Sequence, residues 1–178
     1  MDLRNLTRRL VALCFLIIPF VGNAQQPSYC GDAKFENKVS SVLNFSVPIV
    51  SVTELDAMKD EPNLYIFDAR EKDEYETSHI PGAQYIGYDK PTWEVLDDLP
   101  SDAKIVVYCS IGYRSEKLGE DIKKKGYDKV YNLYGSIFEW ANSGRSLEDG
   151  DGNDTKAVHT YNKKWSQWMT NPDYDKTW

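Results

Sequence analysis

Positive charge is the first shortage in this 178-residue chain: Lys and Arg number 21 against 28 Asp and Glu, a net charge of −7 with histidine neutral. A surface of that sign repels polyanions, which excludes nucleic acid and an anionic membrane as standing partners. Only 2 histidines and 3 cysteines are present, far apart and without C-x-x-C or H-x-H spacing, so no metal set is expected. There is no Gly-rich P-loop, no G-x-G-x-x-G and no G-x-S-x-G elbow, so nucleotide, dinucleotide and serine-hydrolase chemistries lack their motifs. Internal repeats are absent. Asp149-Gly150-Asp151-Gly152-Asn153-Asp154 has the look of a calcium loop. The sixth and twelfth positions from Asp149, which need Gly and Glu, are Asp154 and Thr160, and the site fails.

A long apolar run occurs once, at the start. Arg4, Arg8 and Arg9 form a basic region, Leu10–Val21 an apolar core and Gly22-Asn23-Ala24 a small-residue cleavage site. Residues 1–24 therefore read as a secretory signal peptide, too short for a comfortable membrane span. The expected location is the periplasm, or beyond it by secretion, with no membrane contact after cleavage. A lipoprotein signal does not fit, because Leu13 precedes Cys14 and Tyr29 precedes Cys30. Cleavage removes Cys14 and leaves Cys30 and Cys109 in an oxidising compartment. Cys30 is either a resolving thiol for Cys109 or an incidental residue near a loose terminus, and its place favours the latter.

The remaining composition, 41% apolar and 28% charged, is that of one globular domain with appendages. Its centre is Ile105–Ser115. Ile105-Val106-Val107-Tyr108 is the apolar, β-branched pattern of a buried parallel strand. Small and polar residues follow, then a polar helix-compatible segment, Glu116–Lys125, closed by Gly126. Cys109 thus falls at the carboxyl end of a strand and before a helix N-terminus, where α/β sheets collect ligands and catalytic groups. Loop N–H groups and the helix dipole there favour thiolate, lowering the pKa from about 8.5.

Cys109-Ser110-Ile111-Gly112-Tyr113-Arg114-Ser115 resembles the C-x-x-G-x-R-S active-site loop of single-domain rhodaneses, which are sulfurtransferases. Upstream, Asp68-Ala69-Arg70 with Glu74, then His79-Ile80-Pro81-Gly82-Ala83, is similar to the same family's D-x-R…E…H-I-P-G-A signature. With Gly135 and Trp140 the resemblance runs over roughly residues 48–144. It implies an α/β fold, rhodanese-like, with a small, mostly parallel five-stranded central sheet and helices on both faces. It assigns catalysis to Cys109 and a substrate pocket to Ser110, Ile111, Gly112, Tyr113, Arg114 and Ser115. Asp68, Arg70, Glu74 and His79 take supporting roles. Asp68 would accept loop N–H bonds, and Arg70 would pair with Glu74 or a neighbouring carboxylate. A lone histidine beside a turn is usually structural, and the family pattern gives His79 no catalytic part. Arg114 either attracts an anionic donor or folds outward into a surface ion pair.

Around this centre, residues 25–47 read as an unstructured leader followed by a short helix carrying Phe35, Val39, Val42 and Leu43. Val47–Val50, Leu64–Phe67, Tyr85-Ile86 and Lys129–Leu133 read as further strands. A capping box of Ser51 and Glu54 opens a helix, Thr92–Leu99 is another, and Gly135 turns into a third. Residues 145–178 read as an acidic linker and an aromatic-rich extension with His159, Tyr161, Trp165, Trp168 and Trp178. Its rings are expected to pack on the domain surface as a short helix, the alternative being a lid or docking patch.

The resulting expectation is an enzyme moving sulfane sulfur from thiosulfate or polysulfide to a thiol or cyanide-like acceptor through a Cys109 persulfide, without a cofactor. A redox partner protein fits the same chemistry. The rivals are a non-catalytic persulfide carrier or redox sensor, and a phosphatase of related fold. Phosphatase loops have the form C-x-x-x-x-x-R, whereas here that arginine position is Ser115 and Arg114 comes one residue earlier. The shorter loop suits a persulfide better than a tetrahedral oxyanion.

Overall fold

The computed structural model describes residues 28–178. Residues 1–24, expected as a signal peptide, lie outside them. The chain builds one central sheet from β1 (Ile49–Val50), β2 (Leu64–Asp68), β3 (Gln84–Tyr85), β4 (Lys104–Tyr108) and β5 (Val130–Leu133). Its strand order is β1-β5-β4-β2-β3, and each pairing is parallel. β4 lies at the middle, in register with β2 from Leu64↔Lys104 to Asp68↔Tyr108 and with β5 from Ile105↔Val130 to Val107↔Asn132.

The unbroken apolar run of β4 is explained by burial on both faces. Val106 and Tyr108 join Ile66, Val50 and Leu133 on one face. There they meet α1 (Ala33–Ser40), α2 (Val52–Met58) and α5 (Ser136–Asn142) through Phe35, Val39, Leu55, Ile137 and Phe138. Ile105 and Val107 join Phe67 and Val130 on the other, under Leu118 and Ile122 of α4 (Tyr113–Lys124). Ile105, Val106, Val107 and Tyr108 are each 0% exposed, and burying such a side chain contributes about 1.5–3 kcal/mol. Pro48 lacks an N–H and stands just ahead of edge strand β1, where only its carbonyl is used, accepting from Asn132 N.

Several elements depart from expectation. α3 (Lys72–Thr77) has no apolar stripe to announce it and buries a glutamate, Glu74. The Thr92–Leu99 segment forms only a 3-10 turn at Trp93–Leu96, its carbonyls accepting from the third residue on. α4 begins at Tyr113 rather than Glu116 because Gly112 turns the chain into it at φ 123. Among its described residues the leader ahead of α1 is not loose at Cys30, which is buried.

The presumed acidic linker is a hairpin between β6 (Leu147–Glu148) and β7 (Asp154–Thr155). Asp149 Oδ1 accepts from the backbones of Asp151 and Asn153, turn chemistry that an acidic composition conceals. Glu148 exchanges backbone hydrogen bonds with His79, tying the hairpin to the domain. Beyond it, β8 (Ala157–His159) pairs parallel with β9 (Asp175–Thr177), enclosing a 3-10 turn at Trp165–Trp168 in place of a helix. Val158 and Met169 are 0% exposed, so this extension is part of the core.

Candidate active site

β4 ends at Tyr108, and the sheet's hydrogen bonding stops where Cys109 begins the loop into α4. The loop is pinned from three sides. Ser136 Oγ accepts the Cys109 N–H at 3.2 Å, while the N–H groups of Ile137 and Phe138 at the start of α5 donate to the carbonyls of Cys109 and Ser110. Asn132 on β5 donates its side-chain N–H to the Gly112 carbonyl at 3.0 Å. The Ser115 hydroxyl lies 2.7 Å from Asn132 Oδ1 and 3.1 Å from that same carbonyl. Gly112 holds φ at 123°, and a Cβ there would meet Leu43 Cδ2 at 3.2 Å. The backbone can therefore curl back on the sulfur only with glycine at this position.

The curl brings the Gly112 N–H to 3.2 Å from Cys109 Sγ. Cys109 is only 2% exposed. Burial pushes its thiol up, but the Arg114 charge, the N–H and hydroxyl of Ser115 and the N–H of Gly112 together outweigh it and hold the pKa below the ordinary thiol value. The site thus shifts Cys109 toward the thiolate.

Arg114 is held by Glu74, with Nη1 to Oε2 at 2.7 Å and Nη2 to Oε1 at 2.8 Å. Nη2 also donates to Ser110 Oγ at 3.0 Å. The arginine is therefore not a surface ion pair: it lines the cavity in a two-point pair with Glu74, and its charge is still felt at Cys109. Glu74 is buried, which pushes its carboxyl up, yet Arg114, then Arg70 and the Glu71 N–H, bring it below the ordinary carboxylate value.

The second arginine belongs to a separate pair. Arg70 and Asp68 are both 0% exposed, with Nη2 to Oδ2 at 2.6 Å and Nε to Oδ1 at 3.0 Å. Asp68 also accepts the Arg70 N–H, as expected of a loop-holding carboxylate, and Arg70 reaches the Ser78 carbonyl. Of the partners left open for Arg70, Asp68 takes it and Glu74 does not. His79 stacks on Tyr75, centroids 4.0 Å apart, with Nδ1 3.1 Å from the Tyr75 carbonyl, and it does not line the cavity.

A cavity of about 500 Å³ opens over Cys109. Cys109, Ser110, Ile111, Tyr113 and Arg114 line it, while Gly112 and Ser115 stand behind the sulfur as supports. The rest of the lining escapes sequence reasoning: Val42 from the N-terminal appendage, Glu71, Tyr88 and Asp89 from the loops after β2 and β3, and Tyr161 and Trp165 from the C-terminal extension. None carries a motif. The extension's aromatic content is the one signal that pointed toward a wall, and the structure places two of its rings there, against the expectation of surface packing alone.

The model of the rhodanese-like domain matches residues 51–143. The tRNA uridine(34) hydroxylases of Escherichia coli (strain K12 / DH10B) and Erwinia tasmaniensis are each 34% identical, over 101 and 105 residues. Those matches cover 54% of this chain and 29% of the relatives, so the chain spans less than a third of their length. Among solved structures, a thiosulfate sulfurtransferase from Pseudomonas aeruginosa superposes with a TM-score of 0.54 at 24% identity, covering 65% of this chain and 23% of that one. The polysulfide-sulfur transferase homodimer from Wolinella succinogenes gives 0.52 at 20% identity, covering 66% and 89%. At those identities the likeness is one of fold.

Proposed function

The chain belongs to the rhodanese-like domain family, and from that premise we propose that it is a sulfurtransferase working through a persulfide on Cys109. The observation that carries the reading is the buried Cys109 sulfur at the floor of an open cavity, with the Gly112 N–H 3.2 Å away and its pKa lowered. The thiolate attacks the sulfane sulfur of a donor such as thiosulfate or polysulfide. The donor's S–S bond breaks, and its remainder, sulfite in the case of thiosulfate, leaves with the electron pair. The persulfide anion keeps the N–H groups that held the thiolate. An acceptor thiolate or cyanide then attacks the outer sulfur, and Cys109 departs as thiolate. The two halves balance without an outside oxidant or reductant and call for ping-pong kinetics. Arg114, held by Glu74, lowers the cost of negative charge on sulfur in both states.

The tRNA of the curated relatives is not carried over, since a net charge of −7 opposes a polyanion. Export, on the strength of the basic and apolar residues 1–24, is part of the proposal.

Intact mass after incubation with thiosulfate is expected to rise by one sulfur in the natural chain and not in Cys109→Ala, with cyanide removing the sulfur as thiocyanate over many turnovers. Loading without turnover would leave a persulfide carrier. A Cys109 that takes no sulfur from thiosulfate or polysulfide would end the reading.

A further inference from the structure

We propose that the cavity over Cys109 receives, as sulfur acceptor, an organic thiol with an aromatic or other apolar body and a protonated amine, in preference to a thiol whose body carries a carboxylate. This rests on the sulfur-transfer reading and names the substrate that the site selects.

Size is the first ground. A cavity of about 500 Å³ lies in the range that holds organic ligands and is several times larger than an inorganic sulfur anion fills. Its lining is the second. Tyr88, Tyr113, Tyr161 and Trp165 present rings beside Ile111, a surface that gains by covering an apolar body and gives little to a hydrated anion.

Charge is the third. Glu71 and Asp89 both line the cavity, and burial together with Asp89 pushes the Glu71 carboxyl up, the mark of two negative groups sharing one rim. Among the described residues Arg114 is the one cation of the lining, and both ends of its guanidinium are already paired with Glu74. Glu71 and Asp89 against Arg114 leave the lining negative on balance before any charge on Cys109 is counted. An ammonium is drawn in and a second anion is repelled.

The aromatic wall is held in place. Arg114 Cζ lies 5.3 Å from the Tyr161 ring, and Lys38 Nζ lies 5.3 Å from that of Trp165. Tyr161 adopts φ 64°, a left-handed conformation uncommon for a bulky residue. Strain of that kind persists where the surroundings impose it, and here it sets a ring over the catalytic loop.

Benzylamine and phenylacetate share a ring and differ in charge, so their binding to the full chain, followed by NMR, separates the terms without any sulfur chemistry. Benzylamine is expected to bind about tenfold more tightly. Glu71→Gln with Asp89→Asn should erase that ratio, and Trp165→Leu should weaken both ligands. Transfer from the Cys109 persulfide to an aminomethyl arenethiol should outpace transfer to a carboxymethyl arenethiol in the same proportion. Equal binding, a preference for phenylacetate, or a ratio untouched by the double variant would overturn the proposal. Preferential benzylamine binding by a Cys109 that never takes up sulfur would uphold the recognition and sink sulfur transfer instead.

Discussion

Glu74 and Arg114, 40 positions apart, meet in a two-point ion pair of 2.7 and 2.8 Å whose carboxylate is 1% exposed and whose guanidinium is 14% exposed. The pair joins α3 to α4 directly above the cysteine loop. Removing one partner strands the other in a poorly solvated place, which is worse than removing both. Glu74→Ala is expected to lower stability by about 3 kcal/mol, and Glu74→Ala with Arg114→Ala by less than the sum of the single losses. Denaturant unfolding of the four proteins measures the coupling, and additive losses would show the pair to be incidental.

Arg114→Gln addresses the sulfur itself. Burial raises the Cys109 pKa, and the Arg114 charge is the largest of the opposing influences, so its removal moves the pKa upward. At neutral pH less thiolate remains, and alkylation of Cys109 slows several-fold. The rate recovers as pH rises through the new pKa. Ultraviolet thiolate absorbance against pH reads the shift, and an unmoved titration would remove Arg114 from the argument.

Such effects show which parts of the site were legible. β4 and the cysteine loop were, because an apolar run followed at once by Cys109, Gly112 and Arg114 is a local pattern. The capping box of Ser51 and Glu54 was legible for the same reason. Pairing of arginines with carboxylates was not. Asp68 and Arg70 sit two residues apart at a strand end and close on each other, which leaves Glu74 to Arg114, and only the fold decides that. Asn132 reads as one more strand residue until β5 lies beside the loop. Val42, Tyr88, and Tyr161 with Trp165 reach one cavity from three segments far apart in the chain.

Gly112→Ala tests the curl of the loop. Alanine at φ 123° is strained, and its Cβ would press on Leu43 at 3.2 Å. A loss of about 1–3 kcal/mol is expected. The backbone would relax in a way that carries the Gly112 N–H away from Cys109, so the thiol pKa should rise as well. A protein that loses stability while its thiol titration stays put would show that this N–H does not tune the sulfur.

Cys30 makes the opposite prediction to Cys109. It is 5% exposed, and burial, then the nearby Glu139 and Glu36 carboxylates, push its thiol well above the ordinary value of 9.0. Burial thus holds Cys30 toward the protonated form, which disfavours it as a resolving thiolate, and among the described residues Cys30 and Cys109 are free. Cys30→Ala should therefore leave sulfur transfer unchanged and cost about 1 kcal/mol for the vacated space. The sign of its linkage follows from the raised pKa. Below the ordinary thiol value the folded and unfolded states both hold the proton, and the stabilisation is fully present. As pH climbs past 9.0 the unfolded chain releases the proton and the folded chain keeps it, so stability falls, by at most about 1.4 kcal/mol per pH unit. Melting temperatures on either side of that value should drop more steeply for the natural chain than for Cys30→Ala. Parallel curves, or transfer activity lost with Cys30, would return a functional role to that cysteine.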